Sequence, residues 1–387
     1  MSVPVTTAPV PFEPGPRYLS GNEAAADAAV AAGCDFYAGY PITPSSEIME
    51  RIAARFAELG RVFVQMEDEI ASIGAVIGAV WAGAKGMTAT SGPGFSLMME
   101  ALGYAAFTET PLVIVDVQRA GPCTGQATRP GAGDVQQARW GSHGDYPVIA
   151  LSPWSVQEMF DLTVRAFELA ERYRVPVILL AEEAVGHLRE RVDVPAEVAV
   201  AGRDRDPSGP PFGTDEPQGV PPMPCFGDGA DLLVTGSTHD PWGWRRTEDP
   251  EVHERLVTRL HRKVWDRRPE ICRTEGYLLD DARFALVAYG FTARSALAAV
   301  RRLRAEGVPV GLLRLQTLWP FPAEEVAALA RRVAWIGVPE MNLGQVQGEV
   351  RKEARCPVDG LHQVNGEVID PRRIAAWVKE AVQWPGI

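Results

Sequence analysis

Short apolar runs alternate with longer amphipathic or Ala-rich runs through the first half of the chain. The first helical run opens at Ser20-Gly-Asn-Glu23, where Ser20 or Asn22 can cap it and Glu23 suits the positive end of the helix dipole. It ends at Ala32, with Gly33 placed as the carboxy-terminal stop. Strands are predicted at residues 34–38, 61–66, 86–91, 111–117, 147–151 and 175–181. Helices are predicted over 69–82, from Phe95 onward and over 155–173. The apolar strands carry no alternation and are separated by helices, the pattern of a parallel sheet covered on both faces. Between about 202 and 275 the chain turns Pro- and Gly-rich yet keeps aromatic and apolar residues. This reads as a long ordered connector closed by a helix over 250–267. From Arg283 the alternation returns in FALVAYG, VPVGLLRL, VAWIGVPE and LHQVNG, with no short-period repeat. The fold class is α/β, divided as 1–201, a connector at 202–281, and a second unit at 282–387.

Composition narrows the possibilities. The 387 residues are 46% hydrophobic and 23% charged, which allows a sizeable core in more than one domain. Net charge is -12 with no basic block, against nucleic acid or an anionic membrane as partner. The start of the chain lacks the basic and apolar regions of a signal peptide, and the apolar stretch 73–84 is too short to span a bilayer. The expectation is a cytoplasmic protein. The cysteines at 34, 123, 225, 272 and 356 are scattered and form no CxxC pair, so no iron–sulfur cluster, zinc site or disulfide framework is expected on this chain.

Candidate chemistry lies where strands hand over to helices. Tyr40-Pro-Ile-Thr-Pro-Ser-Ser-Glu47 follows a strand, and its prolines fix an extended loop that presents Thr43. The same loop would equally serve as a rigid connector, with Ser45 or Ser46 capping the next helix. Gln65-Met-Glu-Asp-Glu69 places three acids at a helix start, where acids ordinarily answer the dipole. The helix behind them is apolar nearly all round, hence expected buried, which would put one acid in a dry place with a raised pKa. Ser91-Gly-Pro-Gly94 permits close backbone approach to a ligand, or is a tight turn. Arg119 precedes a Gly-rich loop, as a carboxylate clamp or a surface residue. His143 in GSHGD is a proton carrier or a loop hydrogen-bonder. Gly227-Asp-Gly229 looks like the start of a thiamine diphosphate metal motif, which needs an Asn some two dozen residues on. Asn occurs only at 22, 342 and 365, so that site is rejected. No dinucleotide fingerprint or Walker A loop is present.

Taken together and in order, YPITPSSE, EDEIASIGAVIGA, TSGPGFSLM and the QRAGPCTG loop resemble the α subunit of the 2-oxoacid:ferredoxin oxidoreductase family. VTGSTHD (234–240), LLRLQTLWPFP (312–322) and PEMNLGQ (339–345) extend the resemblance over nearly the whole chain. It implies a thiamine-diphosphate pyrimidine-binding-type parallel-sheet domain, followed by a transketolase C-terminal-like α/β domain. Thiamine diphosphate would be shared with a β subunit that carries the pyrophosphate–magnesium domain and an iron–sulfur cluster. Ferredoxin and coenzyme A are implied as further partners, with γ and δ subunits possible as separate chains.

The resemblance also assigns roles. Glu69 matches the glutamate that hydrogen-bonds the aminopyrimidine nitrogen and favours the tautomer that deprotonates the thiazolium. As the resemblance implies it, the ylide would attack the 2-oxoacid, carbon dioxide would leave, the partner's cluster would take electrons singly, and coenzyme A would collect the acyl group. Thr43 and Arg119 match substrate-binding residues, and Pro41, Ile42, Ser91, Gly92 and Pro93 match the cofactor wall. Two departures bear on the substrate. Position 123 is Cys where Ser is usual, and GQATRPGAGD lacks the Lys-Thr-Glu-Gln run of many 2-oxoglutarate members. Arg129, Arg139 and His143 are candidates for meeting a distal carboxylate, or none of them meets one. The expected substrate is 2-oxoglutarate. Alternatives are a branched-chain or aromatic 2-oxoacid, or a non-catalytic scaffold of the same fold.

Overall fold

The computed structural model describes residues 5–216 and 219–382. Residues 1–4 of the amino-terminal stretch, 217 and 218 of the connector, and 383–387 lie outside it. The main sheet has the order Thr317–Trp319, Ile149–Leu151, Pro176–Glu182, Leu112–Ala120, Gly86–Thr90, Phe36–Gly39, Val62–Gln65. Every pair on that path is parallel except the first. Alternation by two along the central strands divides their side chains between two cores. Val113, Val115 and Val117 face the helices Gly21–Ala31, Ser46–Leu59 and Val156–Tyr173. Leu112 and Ile114 face the opposite core, built with Ile73, Val76, Leu102 and Val135. With both faces covered, no polar position is left to alternate, which is why the strands read as unbroken apolar runs.

The helix Gly21–Ala31 carries the predicted cap as a full capping box: Ser20 Oγ accepts from Glu23 N, and Glu23 accepts from Ser20 N at 2.7 Å. Gly33 follows at φ 89°. The helix Glu69–Trp81 differs from expectation. Ile73, Val76, Ile77 and Val80 are buried, but Ile70, Gly74 and Gly78 lie on an open face. An apolar sequence thus covers one exposed stripe, and Glu69 is dry because it sits at the buried corner of the helix start.

The second sheet runs Thr274–Tyr277, Val310–Leu315, Phe284–Ala288, Trp335–Glu340, Val358–His362, parallel except for its first pair. The chain between its strands supplies Thr317–Trp319 to the edge of the main sheet, and one core runs through both units. Two small antiparallel ribbons escaped the sequence reading: Val5–Pro9 with Glu197–Ala201, and Gly15–Ser20 with Arg189–Val194. Their partners are nearly the whole first unit apart in sequence, and no local turn signals the pairing. Among the described residues no helix is long and apolar enough to cross a membrane.

The connector is held by charge. Glu109 is fully buried and pairs with Arg259 and with Lys263, whose Nζ lies 2.7 Å from Oε2. Burial alone would raise the Glu109 carboxyl, yet Arg259 and Lys263 hold it well below the usual carboxylate range. Burial lowers Lys263 to about 7 against the pull of Glu109. Arg174 closes the cluster, donating from Nε to Glu109 O and from Nη1 to Pro211 O and Pro222 O, at 3.1, 2.7 and 2.8 Å. Removing the acid leaves buried cations unpaired. Glu109→Gln is therefore expected to cost about 3–5 kcal/mol, read as a shift in the urea unfolding midpoint. A loss below about 1 kcal/mol would show that the connector is anchored elsewhere.

A second buried carboxyl fixes the two units. Glu182, ending Pro176–Glu182, accepts from Phe291 N at 3.0 Å, and Gly290 lets the second unit close on it. A Cβ on Gly290 would stand 2.1 Å from Glu182 Oε1, at a backbone φ of 54°. Burial raises the Glu182 carboxyl to about 8. Between the ordinary carboxyl value and about 8, the folded protein keeps a proton here that the unfolded chain releases. Stability from this group is therefore complete at acid pH and lost as pH rises, at about 1.4 kcal/mol per pH unit. Glu182→Gln should flatten the fall of the melting temperature between pH 5 and 8. Parallel wild-type and variant curves over that range would contradict it.

Candidate active site

Four adjacent parallel strands end on one edge of the main sheet, and each runs into one of the loops singled out from the sequence. Phe36–Gly39 leads to the Thr43 loop, Val62–Gln65 to Glu69, Gly86–Thr90 to Ser91, and Leu112–Ala120 to the loop after Arg119. Ligands of open α/β sheets bind at this end of the strands.

Glu69 is the first residue of its helix, with Asp68 as the cap, accepting from Ala71 N at 2.7 Å. Because Asp68 takes the capping role, the Glu69 carboxylate is spared for another use. It is 4% exposed, and burial raises its pKa, helped by the charge of Asp68. Its Oε1 and Thr90 Oγ1 each lie 2.3 Å from where a Cβ on Gly94 would stand. Glycine at 94 is thus what lets the carboxyl reach the end of the Gly86–Thr90 strand. Thr88 Oγ1, Thr90 Oγ1 and Ser91 Oγ are buried without a hydrogen-bond partner among the described residues.

Arg119 Nη1 donates to Thr43 O at 2.7 Å, so two predicted substrate residues meet across 76 positions of sequence. Arg119 is buried, its Nε has no partner among the described residues, and it lines a cavity of about 560 Å³. Gly92, Pro93 and Asp134 form one wall, and Asn342 and Gln345 of the second unit form another. Pro41 is exposed and Ile42 half-buried, its carbonyl accepting from Ser45 Oγ at 2.9 Å. Ser45 therefore bonds back into its loop and makes no side-chain cap to Ser46–Leu59.

Other candidates go elsewhere. Arg139 stacks on Trp140 at 3.8 Å, donates to Tyr146 O, and lines a different cavity of about 540 Å³. Arg129 pairs with Glu367 on the surface, and His143 is exposed. Asp228 of Gly227-Asp-Gly229 is engaged by Arg205 and by Cys225 N. Asn342 was missed as a site residue. Its Nδ2 donates to Ala132 O and to Tyr289 Oη, both at 2.7 Å, and its Oδ1 accepts from Gly344 N and Gln345 N. Asp116 was missed too, although an acid inside the apolar run PLVIVDV was a signal.

Two family models match the chain. Residues 27–259 fit pyruvate flavodoxin/ferredoxin oxidoreductase, thiamine diphosphate-binding, and residues 282–374 fit pyruvate:ferredoxin oxidoreductase core domain II. The chain is 53% identical to 2-oxoglutarate synthase subunit KorA of Methanothermobacter thermautotrophicus, over 92% of this chain and 96% of the relative. It is 40% identical to ketoisovalerate oxidoreductase subunit VorB of the same organism, over 94% and 97%. A solved 2-oxoglutarate:ferredoxin oxidoreductase from Magnetococcus marinus superposes with TM-score 0.90 and 32% identity, covering 96% of this chain and 66% of that one. A split-gene transketolase shares the fold at TM-score 0.55 and 15% identity, over 94% of this chain and 98% of that one. The chain belongs to the 2-oxoacid:ferredoxin oxidoreductase family.

Proposed function

We propose that this chain is the α-type subunit of a coenzyme A-dependent 2-oxoglutarate:ferredoxin oxidoreductase, catalytic only with a partner subunit. The observation that carries the reading is the buried Glu69 carboxyl held against the Gly94 turn, on the same strand edge as the Arg119–Thr43 pair. Its similarity to 2-oxoglutarate synthase subunits, at 53 and 47%, exceeds that to the ketoisovalerate enzyme.

The residues present fit an aminopyrimidine. A dry carboxyl with a raised pKa suits a ring nitrogen, and the orphaned Thr90 and Ser91 hydroxyls suit its polar edge. Thiamine diphosphate, when bound, supplies the electron sink for the carbanion left by decarboxylation. Glu69 keeps its proton nearer to neutral pH than an ordinary carboxyl and presents it at the ring nitrogen. Pro41, Ile42, Ser91, Gly92 and Pro93 wall the ring. Thr43 and Arg119 orient the 2-oxoacid, Arg119 through a charge-assisted bond to its carboxylate. Magnesium, the pyrophosphate contacts and the iron–sulfur cluster fall to the partner, ferredoxin takes the electrons, and the enzyme works in the cytoplasm. The division 1–201, 202–281 and 282–387 goes with this assignment.

One observation favours a second reading. Around Arg119 the cavity wall from this chain is largely apolar, with Pro93, Ala132, Met341, Leu343 and Val364, which suits a branched-chain 2-oxoacid. Coenzyme A-dependent dye reduction by the assembled enzyme separates the two. The expected kcat/KM for 2-oxoglutarate exceeds that for 2-oxoisovalerate by about tenfold or more, and the reverse order overturns the substrate assignment. Glu69→Gln in the same assay is expected to lower kcat by about 10²–10⁴-fold. Wild-type turnover in that variant would remove Glu69 from catalysis.

A further inference from the structure

Beneath the cavity lies a pair of carboxyls that the reaction described above does not use. Asp116 is central in Leu112–Ala120, in register with Thr90 on one side and Leu180 on the other. It is completely buried, and among the described residues neither of its carboxylate oxygens has a donor in hydrogen-bonding geometry. It faces Asp134, whose Oδ2 is also buried and unpartnered. A Cβ on Gly92 would stand 3.9 Å from Asp134 Oδ2, so the Gly92 turn packs against the pair. Asp134 N donates to Gln118 Oε1 at 3.0 Å, so the loop carrying Asp134 is tied to the same strand. Arg119, three residues along from Asp116, borders the cavity with a buried and unpartnered Nε.

Two ionised carboxylates cannot face each other in a dry place, because each is acceptor-only and like charges repel. A single proton between them converts the clash into a hydrogen bond and leaves one negative charge. We propose that Asp116 and Asp134 share one proton and act as a positioning pair that keeps the Arg119 guanidinium free for the substrate carboxylate. The pair joins the Gly92 turn to the loop at Gly133–Asp134 across the end of the strand. The shared hydrogen bond also holds the Asp134 carboxylate on Asp116, so that it is not turned onto Arg119. Burial pushes both carboxyls above their ordinary range, Asp116 with the added push of Asp134, as a shared proton requires.

This inference rests on the reading of Arg119 as a carboxylate clamp, and the two fail separately. In the assembled enzyme, Asp116→Ala leaves Asp134 ionised beside Arg119, and the two should pair. KM for the 2-oxoacid is then expected to rise about tenfold with kcat within about threefold of wild type. Asp116→Asn restores a donor toward Asp134 and should return KM to within about threefold. The double variant Asp116→Ala/Asp134→Ala removes the competing anion and should bind substrate better than Asp116→Ala alone, a recovery that mere loss of packing would not give. Infrared difference spectra of wild type against Asp116→Asn should show the stretch of a protonated carboxyl at neutral pH. That comparison uses a variant of nearly unchanged volume and decides the shared proton even if the alanine variants fail to assemble. A double variant weaker than the single, or no protonated-carboxyl band, overturns the proposal. An unchanged KM in Arg119→Ala overturns the clamp instead, while the infrared result stands by itself.

Discussion

A carboxylate with no access to water determines how this chain can be arranged. Glu109 is enclosed by Arg174, Arg259 and Lys263, residues that lie 65 to 154 positions away in sequence. Desolvation offsets much of the Coulomb attraction in such a cluster, so its main effect is selection rather than net stability. Any other docking of the helix Pro250–Trp265 would bury a charge alone. The connector, poor in regular structure from 202 to 249, inherits its path from that requirement, because Arg174 also gathers the carbonyls of Pro211 and Pro222. Arg165 then receives the chain through Glu270 O and Ile271 O, where it enters the second sheet.

That path determines the site. Once the connector is seated, Thr317–Trp319 can join the main sheet, Gly290 can close on Glu182, and Asn342 can reach Ala132 O. The cavity wall at Asn342 and Gln345 is therefore a product of domain docking. Glu69, Thr43, Arg119 and the Gly92 turn belong to the first unit alone, held by neighbouring strands of one sheet. The candidate residues thus all sit on one sheet and the enclosure comes from the joined part; under the proposed reading, small shifts between units leave the geometry of those residues unchanged.

Much of this was legible where the physics is local. The capping box at Ser20, the apolar strands and the Ser155-capped helix Val156–Tyr173 all follow from neighbours in sequence. The motif loops were legible as loops, and family resemblance gave them roles that spacing alone left open between site and turn. What escaped depends on distant partners. The ribbons at the start of the chain pair with residues 189–201, and Glu109 at the foot of a helix reads as an ordinary surface acid until Arg259 is placed beside it. Arg139 is the converse case. Its position near the motif made it one of three open candidates for a distal carboxylate, and in this chain it packs on Trp140 and lines another cavity.

The helix behind Glu69 shows why composition misled and what the error means. Ile70, Gly74 and Gly78 are apolar or small, so the sequence reads as buried on all sides, but among the described residues nothing covers that stripe. Small residues at spacing four let another backbone approach closely, and exposed Ile, Leu343 and Val364 are unfavourable in water. The carboxyl at the head of the helix requires a dry environment to keep its pKa raised. Glu69 is already buried by this chain, so under the proposed reading the open stripe would serve contact with the subunit that completes the cofactor site rather than the dryness of the carboxyl.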